Sequence, residues 1–360
     1  MKTKPMTKFA ILALSLVLVA CAGGGSEEAG CPAIDGREIN VVATTPMIGE
    51  FVSQVGGEKI NLTVLMPPEA NPHTYEPAPQ DAGTIAEADL VFYTGLLYEP
   101  AALVKLLENS ACSTDILSEV GESVFPIEFK EGGHDDHDDH DDHDDEEGHD
   151  DEEGHDDHDD EEGHDDEEGH DDEEGHDDHE GHNHGAYDPH FWFDPSRVAY
   201  AAEYIESRLI EFDPENESSY KSSADSFVSE LNDLTKQVSE LISTVPSQNR
   251  KLITTHESLG YLEAKFGLEV LSTIIPSLNS ANEISPSDLA GVIDVIEDNN
   301  VKVIFIESEA PSVYSETIVA ETGIKSVTGL YVETLKPGQS YSEFLISNVT
   351  LITENLQDTD

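Results

Sequence analysis

Seven short apolar segments along the chain have the length and composition of β-strands. They are rich in β-branched residues, and turn residues bound them. The predicted strands span residues 39–44, 60–66, 88–94, 251–256, 269–274, 301–307 and 326–332. The near-continuous apolar run VKVIFI is typical of a strand in a sheet that is covered on both faces.

Helical patterns lie between several of these strands. Residues 47–57 and 285–300 each place their apolar side chains on one helical face. Strands that alternate with helices are typical of parallel sheets in the α/β class. The pattern therefore predicts an α/β fold in which helices flank sheets of parallel strands.

One long helical pattern without a strand interrupts this alternation at residues 214–246. At about 1.5 Å per residue it would extend for roughly 45 Å. A rigid connector between two α/β lobes is one interpretation, and an ordinary surface helix of one domain is the other. The predicted organisation is an N-terminal lobe over residues 37–213, a connector helix over 214–246 and a C-terminal lobe over 247–360.

The first 20 residues have the pattern of an export signal. Three lysines precede a 12-residue apolar stretch, which is too short to span a bilayer comfortably. The sequence LVAC that follows resembles the bacterial lipobox, in which the Cys, here Cys21, carries a lipid anchor. A plain signal peptide with a chance Cys is the alternative. Residues 21–36 are then predicted to form a flexible tether.

Charge is concentrated in one segment of the 360-residue chain. The chain has 78 acidic and 17 basic side chains, and residues 131–184 alone hold 32 Asp and Glu, 13 His and no Lys or Arg. This segment repeats the sequence GHDDEE and has almost no apolar residues, which predicts a disordered insert. The other residues keep a net charge of −29, which excludes nucleic acid as a partner because phosphate binding needs a basic surface.

Three histidines remain outside the insert: His73, His190 and His256. Each stands at the end of a predicted strand or in a turn-rich loop, and ligands of open α/β sheets bind beyond the carboxyl ends of strands. Three neutral imidazoles that converge there suit zinc, manganese or a similar divalent ion. One such histidine alone is more often structural, but three at matching positions favour a metal site.

Four motifs resemble those of the metal-binding substrate-binding proteins of bacterial ABC importers. NPHTYEPAPQD is similar to the family's DPHTYEPTP, and DPHFWFDP to its DPHFWLDP, which follows a His-rich loop in zinc members. TTHESLGYLEAKFGL and VKVIFIESEAPSVYSETIVAETGIKS resemble its two later segments. The likeness runs from about Ile39 to the C-terminus, interrupted by the insert.

The resemblance implies two α/β lobes joined by a rigid helix, with a metal ion in the cleft between them. It also implies that His73, His190 and His256 are metal ligands. The family's fourth ligand is usually an Asp, and the segment GLYVETL has Glu333 in that place. The alternative is that a water or a carboxylate from the insert fills this position and that Glu333 is a surface residue.

Other residues near these ligands are candidates for supporting roles. A carboxylate can accept the second N–H of a ligating imidazole, and four lie nearby in the sequence: Glu76, Asp194, Glu257 and Glu307. If Cys21 carries a lipid, two cysteines remain, Cys31 and Cys112, which is an even number of thiols in an oxidising compartment. A disulfide between them is one interpretation, and two separate thiols are the other.

The predicted function is a lipid-anchored, extracytoplasmic zinc receptor, a monomer that delivers Zn²⁺ to an ABC permease. A manganese or other divalent-metal receptor of the same family is the alternative, although an imidazole at position 256 favours zinc. Adhesins, metal buffers and secreted zinc enzymes are alternatives of other classes, but HExxH and GxSxG motifs are absent from the sequence. The insert is interpreted as a weak zinc collector, a zinc sensor or a dispensable loop.

Overall fold

The computed structural model describes Cys31, Ile34 and residues 36–68, 70–129, 187–308 and 313–357. The predicted signal segment, Cys21, most of the tether and the acidic insert lie outside the described residues. Within the described part of the chain, no helix combines the length and the apolarity needed to cross a bilayer.

The N-terminal lobe is built on a four-stranded parallel sheet. Its strands are β1 (Ile39–Ala43), β2 (Ile60–Val64), β3 (Leu90–Tyr93) and β4 (Leu117–Glu119). The spatial order is β2-β1-β3-β4, and Val41 in the centre pairs with Leu62 on one side and Leu90 on the other. The first three strands were predicted. β4 was not, because three residues are too few to show an apolar pattern.

The C-terminal lobe contains two parallel strand pairs that lie against each other. Its strands are β5 (Lys251–His256), β6 (Glu269–Ile275), β7 (Val303–Glu307) and β8 (Lys325–Leu330). β5 pairs with β6, β7 pairs with β8, and β5 also contacts β7. All four strands were predicted, and every residue of β7 is buried, as its continuous apolar run indicates.

Helices cover these sheets, and local capping signals set where several of them begin. They are α1 (Pro46–Gly56), α2 (Pro79–Ala86), α3 (Ala101–Ser110), α4 (Pro195–Phe212), α5 (Glu217–Ser243), α6 (Gly260–Phe266), α7 (Pro286–Asp298), α8 (Val313–Thr322) and α9 (Tyr341–Gln357). α1 begins at a proline after Thr45, whose hydroxyl accepts from the N–H of Ile48. α7 begins in the same way, with Ser285 and Asp288 forming a capping box.

The long helix α5 joins the two lobes. Its 27 residues correspond to about 40 Å, and it packs against α1, α4 and α9. It is shorter than the predicted connector at both ends, because residues 214–216 form a separate 3-10 turn at Pro214 and the helix ends at Ser243, before Pro246. The α/β fold with two lobes and a long connecting helix confirms the predicted fold class, while the exact lobe boundaries stay a prediction.

One hydrophobic core runs through both lobes. Buried residues of β1, α1, α4, α5, β7 and α9 belong to the same cluster. The ring of Phe51 in α1 meets Tyr341 in α9 edge to face, with centroids 5.3 Å apart. Phe193, just before α4, and Phe344 in α9 are 5.7 Å apart. The two lobes are therefore held together by apolar packing as well as by the connecting helix.

A disulfide joins Cys31 to Cys112, which lies just beyond the end of α3. Their Cα atoms are 5.0 Å apart, and 81 positions separate them in the sequence. The bond ties the start of the described chain to the N-terminal lobe. Closing so long a loop restricts the unfolded chain.

Replacing both Cys31 and Cys112 by Ser is expected to lower the free energy of unfolding by about 2–4 kcal/mol, because the unfolded chain regains freedom. Denaturant unfolding followed by circular dichroism measures this change. The control is the wild-type protein with and without reductant, which should reproduce the difference. Equal unfolding midpoints for the oxidised and reduced wild type would contradict a stabilising bond.

Candidate metal centre

A short turn after β2 presents His73. The 3-10 turn Pro72–Thr74 begins after Asn71, whose side-chain oxygen accepts a hydrogen bond from the backbone N–H of His73 at 2.9 Å. The Asn71 amide also donates to the hydroxyl of Ser280 in the other lobe at 3.0 Å. The His73 side chain is 4% exposed, so the turn buries its imidazole between the lobes.

His190 is fully buried, and the carboxylate of Asp188 binds the Nδ1 side of its imidazole. It directly precedes the 3-10 turn Phe191–Phe193. Oδ1 of Asp188 lies 2.8 Å from the backbone nitrogen of His190 and 2.8 Å from its Nδ1. Because an ionised carboxylate only accepts, Nδ1 carries the proton and Nε2 is left for another partner.

His256 is arranged in the same way by a neighbouring strand. It is the last residue of β5, and Glu307 is the last residue of the adjacent β7. Oε2 of Glu307 accepts a hydrogen bond from Nδ1 of His256, and Oε1 accepts from its backbone N–H at 3.2 Å. The carboxyl ends of two strands thus fix this imidazole, with Nε2 directed away from Glu307.

Glu333 lies in the segment after β8 and meets all three imidazoles. Its Oε1 is 3.0 Å from Nε2 of His73 and 2.8 Å from Nε2 of His256. Its Oε2 is 3.5 Å from Nε2 of His190. The carboxylate is fully buried.

These four side chains form one compact cluster. Each offers one ligand atom, and those atoms lie within 4.8 Å of one another. Among the described residues, Nε2 of His190 and of His256 has no partner with hydrogen-bond geometry. Each of these nitrogen atoms faces the Glu333 carboxylate instead, and an ion held between them would bind both nitrogens. Three nitrogen atoms and one carboxylate oxygen match the tetrahedral set that zinc prefers.

The charges of the cluster shift its pKa values in opposite directions. Burial raises the pKa of Glu333, but the imidazoles of His73, His256 and His190 outweigh it and hold that pKa well below its usual range. Burial lowers the pKa of His190, yet the carboxylates of Glu333 and Asp188 reverse this and raise the pKa to about 9. The pKa of His256 is raised well above its usual value because Glu307 and Glu333 outweigh burial.

The carboxylates proposed as supports for the imidazoles lie in different places. The structure brings Glu307 to His256 but leaves Glu76 exposed on the surface. Asp194 caps α4 by accepting from the N–H of Ser196 at 2.8 Å. Glu257 accepts from the hydroxyl of Thr273 at 3.0 Å. None of these three has a hydrogen bond to a ligand imidazole among the interactions described.

Two residues at the site were absent from the sequence prediction. Asp188 sits in the motif DPHFWFDP, and an Asp two residues before a histidine often accepts that residue's N–H, which was an available signal. Tyr98 places its hydroxyl 2.9 Å from Oε2 of Glu333 across 235 positions of sequence, and no local pattern indicates such a contact.

Replacing Asp188 by Asn or Glu307 by Gln is expected to weaken metal binding by about 10–100-fold, because each carboxylate fixes the tautomer of one imidazole. Competition with a chelator measures the affinity. Glu257→Gln is the matched control, since Glu257 adjoins His256 in sequence but bonds to Thr273. An equal effect of all three variants would contradict a specific role for Asp188 and Glu307.

Metal binding is expected to release protons near neutral pH. The raised pKa values of His190, about 9, and of His256 mean that the metal-free site holds protons at pH 7, and an ion must displace them. Affinity should therefore rise as the pH increases from 6 towards about 9. Calorimetry with one equivalent of zinc in buffers of different ionisation enthalpy counts the protons. An observed enthalpy that does not depend on the buffer would contradict this.

The chain is similar to known proteins over most of its length. The family model described as ZnuA, zinc-uptake complex component A periplasmic, matches residues 41–355. The manganese ABC transporter substrate-binding lipoprotein PsaA of Streptococcus anginosus is 25% identical, over 98% of this chain and 99% of its own length. The high-affinity zinc uptake system protein ZnuA of Bacillus subtilis is 26% identical, over 97% and 96%.

Solved structures share the fold. The periplasmic zinc-binding protein TroA from Treponema pallidum has a TM-score of 0.68 at 19% identity and covers 89% of this chain and 99% of its own. Fe(III)-bound YtgA from Chlamydia trachomatis has a TM-score of 0.67 at 23% identity, covering 88% and 98%. The family match, which spans most of the chain, confirms the resemblance read from the four motifs. The chain therefore belongs to the ZnuA family, whose members are metal-binding receptors of ABC transporters and not enzymes.

Proposed function

We propose that this receptor carries zinc: it binds one Zn²⁺ between its lobes and delivers it to an ABC permease. The observation that carries the proposal is the convergence of His73, His190, His256 and Glu333 within one buried cluster. Two of the imidazoles have their Nδ1 atoms bound by carboxylates, which leaves Nε2 for the ion.

The ligand set supports zinc over manganese. Imidazole nitrogen suits zinc, whereas manganese prefers carboxylate, carbonyl and water oxygen in octahedral geometry. Zinc also binds more tightly than manganese to a given set of ligands. The relatives carry both names, a manganese lipoprotein and a zinc uptake protein, so their names do not decide between the two metals.

We further propose that the protein is anchored outside the cytoplasm by a lipid on Cys21 and acts as a monomer. Relatives named as lipoproteins and a family described as periplasmic support an extracytoplasmic location. Because the disulfide ties Cys31 to the N-terminal lobe, only the part of the predicted tether before Cys31 would give the folded lobes reach towards a permease in the same membrane. Cys21 lies outside the described residues.

The acidic insert is proposed to collect zinc weakly for the buried site. Its flanks meet in an antiparallel bridge between Glu128 and Tyr187, and His190 follows three residues later. The excess of Asp and Glu would raise the local concentration of any divalent cation, an effect that salt screens.

A metal titration tests the proposal. The wild-type protein is expected to bind one zinc ion tightly and to prefer zinc to manganese in competition. The triple variant with His73, His190 and His256 replaced by Ala should lose this site, and Glu333→Gln should weaken it by more than about 100-fold, since even outer residues cost about 10–100-fold. Glu76→Gln is the control, because Glu76 is an exposed carboxylate close to His73 in sequence.

Deleting residues 131–184 distinguishes metal binding at the buried site from metal binding by the insert. The tight site should survive the deletion, while weaker binding of further ions should disappear. If the triple variant keeps tight binding, or if the deletion abolishes it, the proposed site is wrong. A wild-type protein that prefers manganese would support the alternative receptor of the same family.

A further inference from the structure

We propose that Tyr98 is a positioning residue that keeps Glu333 as a one-oxygen ligand and thereby favours zinc over manganese. The proposal rests on the proposed zinc site and goes beyond it, because it names a residue outside the ligand set that determines which metal fits. Tyr98 belongs to the N-terminal lobe and Glu333 to the C-terminal lobe, so the contact crosses the cleft.

The two oxygen atoms of Glu333 have different surroundings. The Tyr98 hydroxyl lies 2.9 Å from Oε2 and 3.0 Å from the backbone oxygen of Glu333. Oε1 faces His73 and His256, at 3.0 and 2.8 Å from their Nε2 atoms, whereas Oε2 lies 3.5 Å from Nε2 of His190. A hydrogen bond from the hydroxyl to Oε2 thus orients the carboxylate with Oε1 towards His73 and His256 and leaves Oε2 at the longer distance from His190.

The number of ligand atoms decides which metal such a site prefers. With Oε2 bound to Tyr98, the protein offers three nitrogen atoms and one oxygen atom, the four ligands of a tetrahedral zinc site. A carboxylate that binds through both oxygens adds a fifth ligand and more oxygen character, which moves the site towards manganese. The Tyr98 hydroxyl therefore acts on metal preference through the geometry of Glu333.

A buried carboxylate anchors the loop that carries Tyr98. Glu99 is 4% exposed and accepts hydrogen bonds from the N–H of Thr94 at 2.7 Å, the N–H of Gly95 at 2.9 Å and the hydroxyl of Thr44 at 2.7 Å. The backbone N–H of Tyr98 donates to the carbonyl oxygen of Gly95 at 2.9 Å. These bonds close the turn immediately before the tyrosine.

The turn itself has an uncommon backbone. Gly95, Leu96 and Leu97 have φ angles of 76°, 53° and 61°, all in the left-handed region. Leucine adopts this region rarely, and such residues persist only where the surroundings determine them. Oε1 of Glu119 accepts from the N–H of Leu96 at 2.9 Å and helps to hold it. Because hydrogen bonds hold this unfavourable backbone conformation, the turn fixes the position of the Tyr98 hydroxyl.

The aromatic ring of Tyr98 is packed independently of its hydroxyl. It meets His73 edge to face with ring centroids 5.1 Å apart, and Trp192 with centroids 5.3 Å apart. Phenylalanine would preserve both contacts. Tyr98→Phe therefore removes the hydrogen bond to Glu333 and leaves the ring in place.

The test compares Tyr98→Phe with the wild type in two measurements. The ratio of zinc affinity to manganese affinity is expected to fall by about 10-fold, as expected for losing a hydrogen bond to a charged group. With one equivalent of Co²⁺, the intense visible absorption of a four-coordinate site should weaken in the variant as the second oxygen joins. Cobalt bound by the insert also absorbs. This contribution is measured in the variant with His73, His190 and His256 replaced by Ala, and it is subtracted from both spectra.

Tyr220→Phe is the matched control, since the Tyr220 hydroxyl donates to Oδ2 of Asp213 at 2.6 Å, outside the cluster of ligands. It should leave both readouts unchanged. Circular dichroism checks that each variant is folded. Should Tyr98→Phe not fold, the cobalt spectrum of the wild type still tests the proposal, because weak absorption typical of five or six ligands would overturn it.

The outcomes separate this proposal from the proposed function. A wild type that binds zinc tightly, with a Tyr98→Phe variant equal to it in both readouts, overturns the role of Tyr98 and leaves the zinc receptor standing. A wild type without one tight zinc site overturns the proposed function, and the role of Tyr98 with it.

Discussion

One buried carboxylate surrounded by three imidazoles is the interaction on which the candidate metal centre between the two lobes depends. Glu333 is 1% exposed, and an ionised carboxylate taken out of water costs several kcal/mol unless opposite charge faces it. His190 supplies that charge from one lobe and His256 from the other, since the pKa of each imidazole is raised. Their protons balance the carboxylate in the metal-free protein, and a bound cation would take over this role when it displaces them.

The boundary between the two lobes near Glu333 is stabilised by hydrogen bonds that cross it, in addition to the apolar core. Nε1 of Trp192 donates to the backbone oxygen of Val332 at 2.8 Å, and the hydroxyl of Tyr341 donates to the backbone oxygen of Trp192 at 2.7 Å. The connecting helix packs on both lobes as well. A single ion held by a few strong bonds needs little closure, which agrees with a binding site that is already assembled between firmly joined lobes.

Much of this arrangement could be predicted from the sequence, and the exceptions have physical reasons. Strands, and the position of His256 at the end of β5, follow from apolar patterns, but the partner of this imidazole comes from a neighbouring strand. Glu257 follows His256 directly but lies beyond the end of β5 and bonds to Thr273, whereas Glu307 ends the adjacent strand β7 and reaches the imidazole. Asp188 had a local signal, while Tyr98 depends on a left-handed turn that no apolar pattern encodes.

X-ray absorption at the zinc edge tests the central claim most directly. Protein loaded with one equivalent of zinc is expected to show four nitrogen or oxygen ligands at about 2.0–2.2 Å, with the scattering pattern of three imidazoles. The same spectrum should persist when residues 131–184 are deleted and should change in His256→Ala. A mainly oxygen-ligated ion, or a spectrum that His256→Ala leaves unchanged, would contradict a site built from three histidines and Glu333.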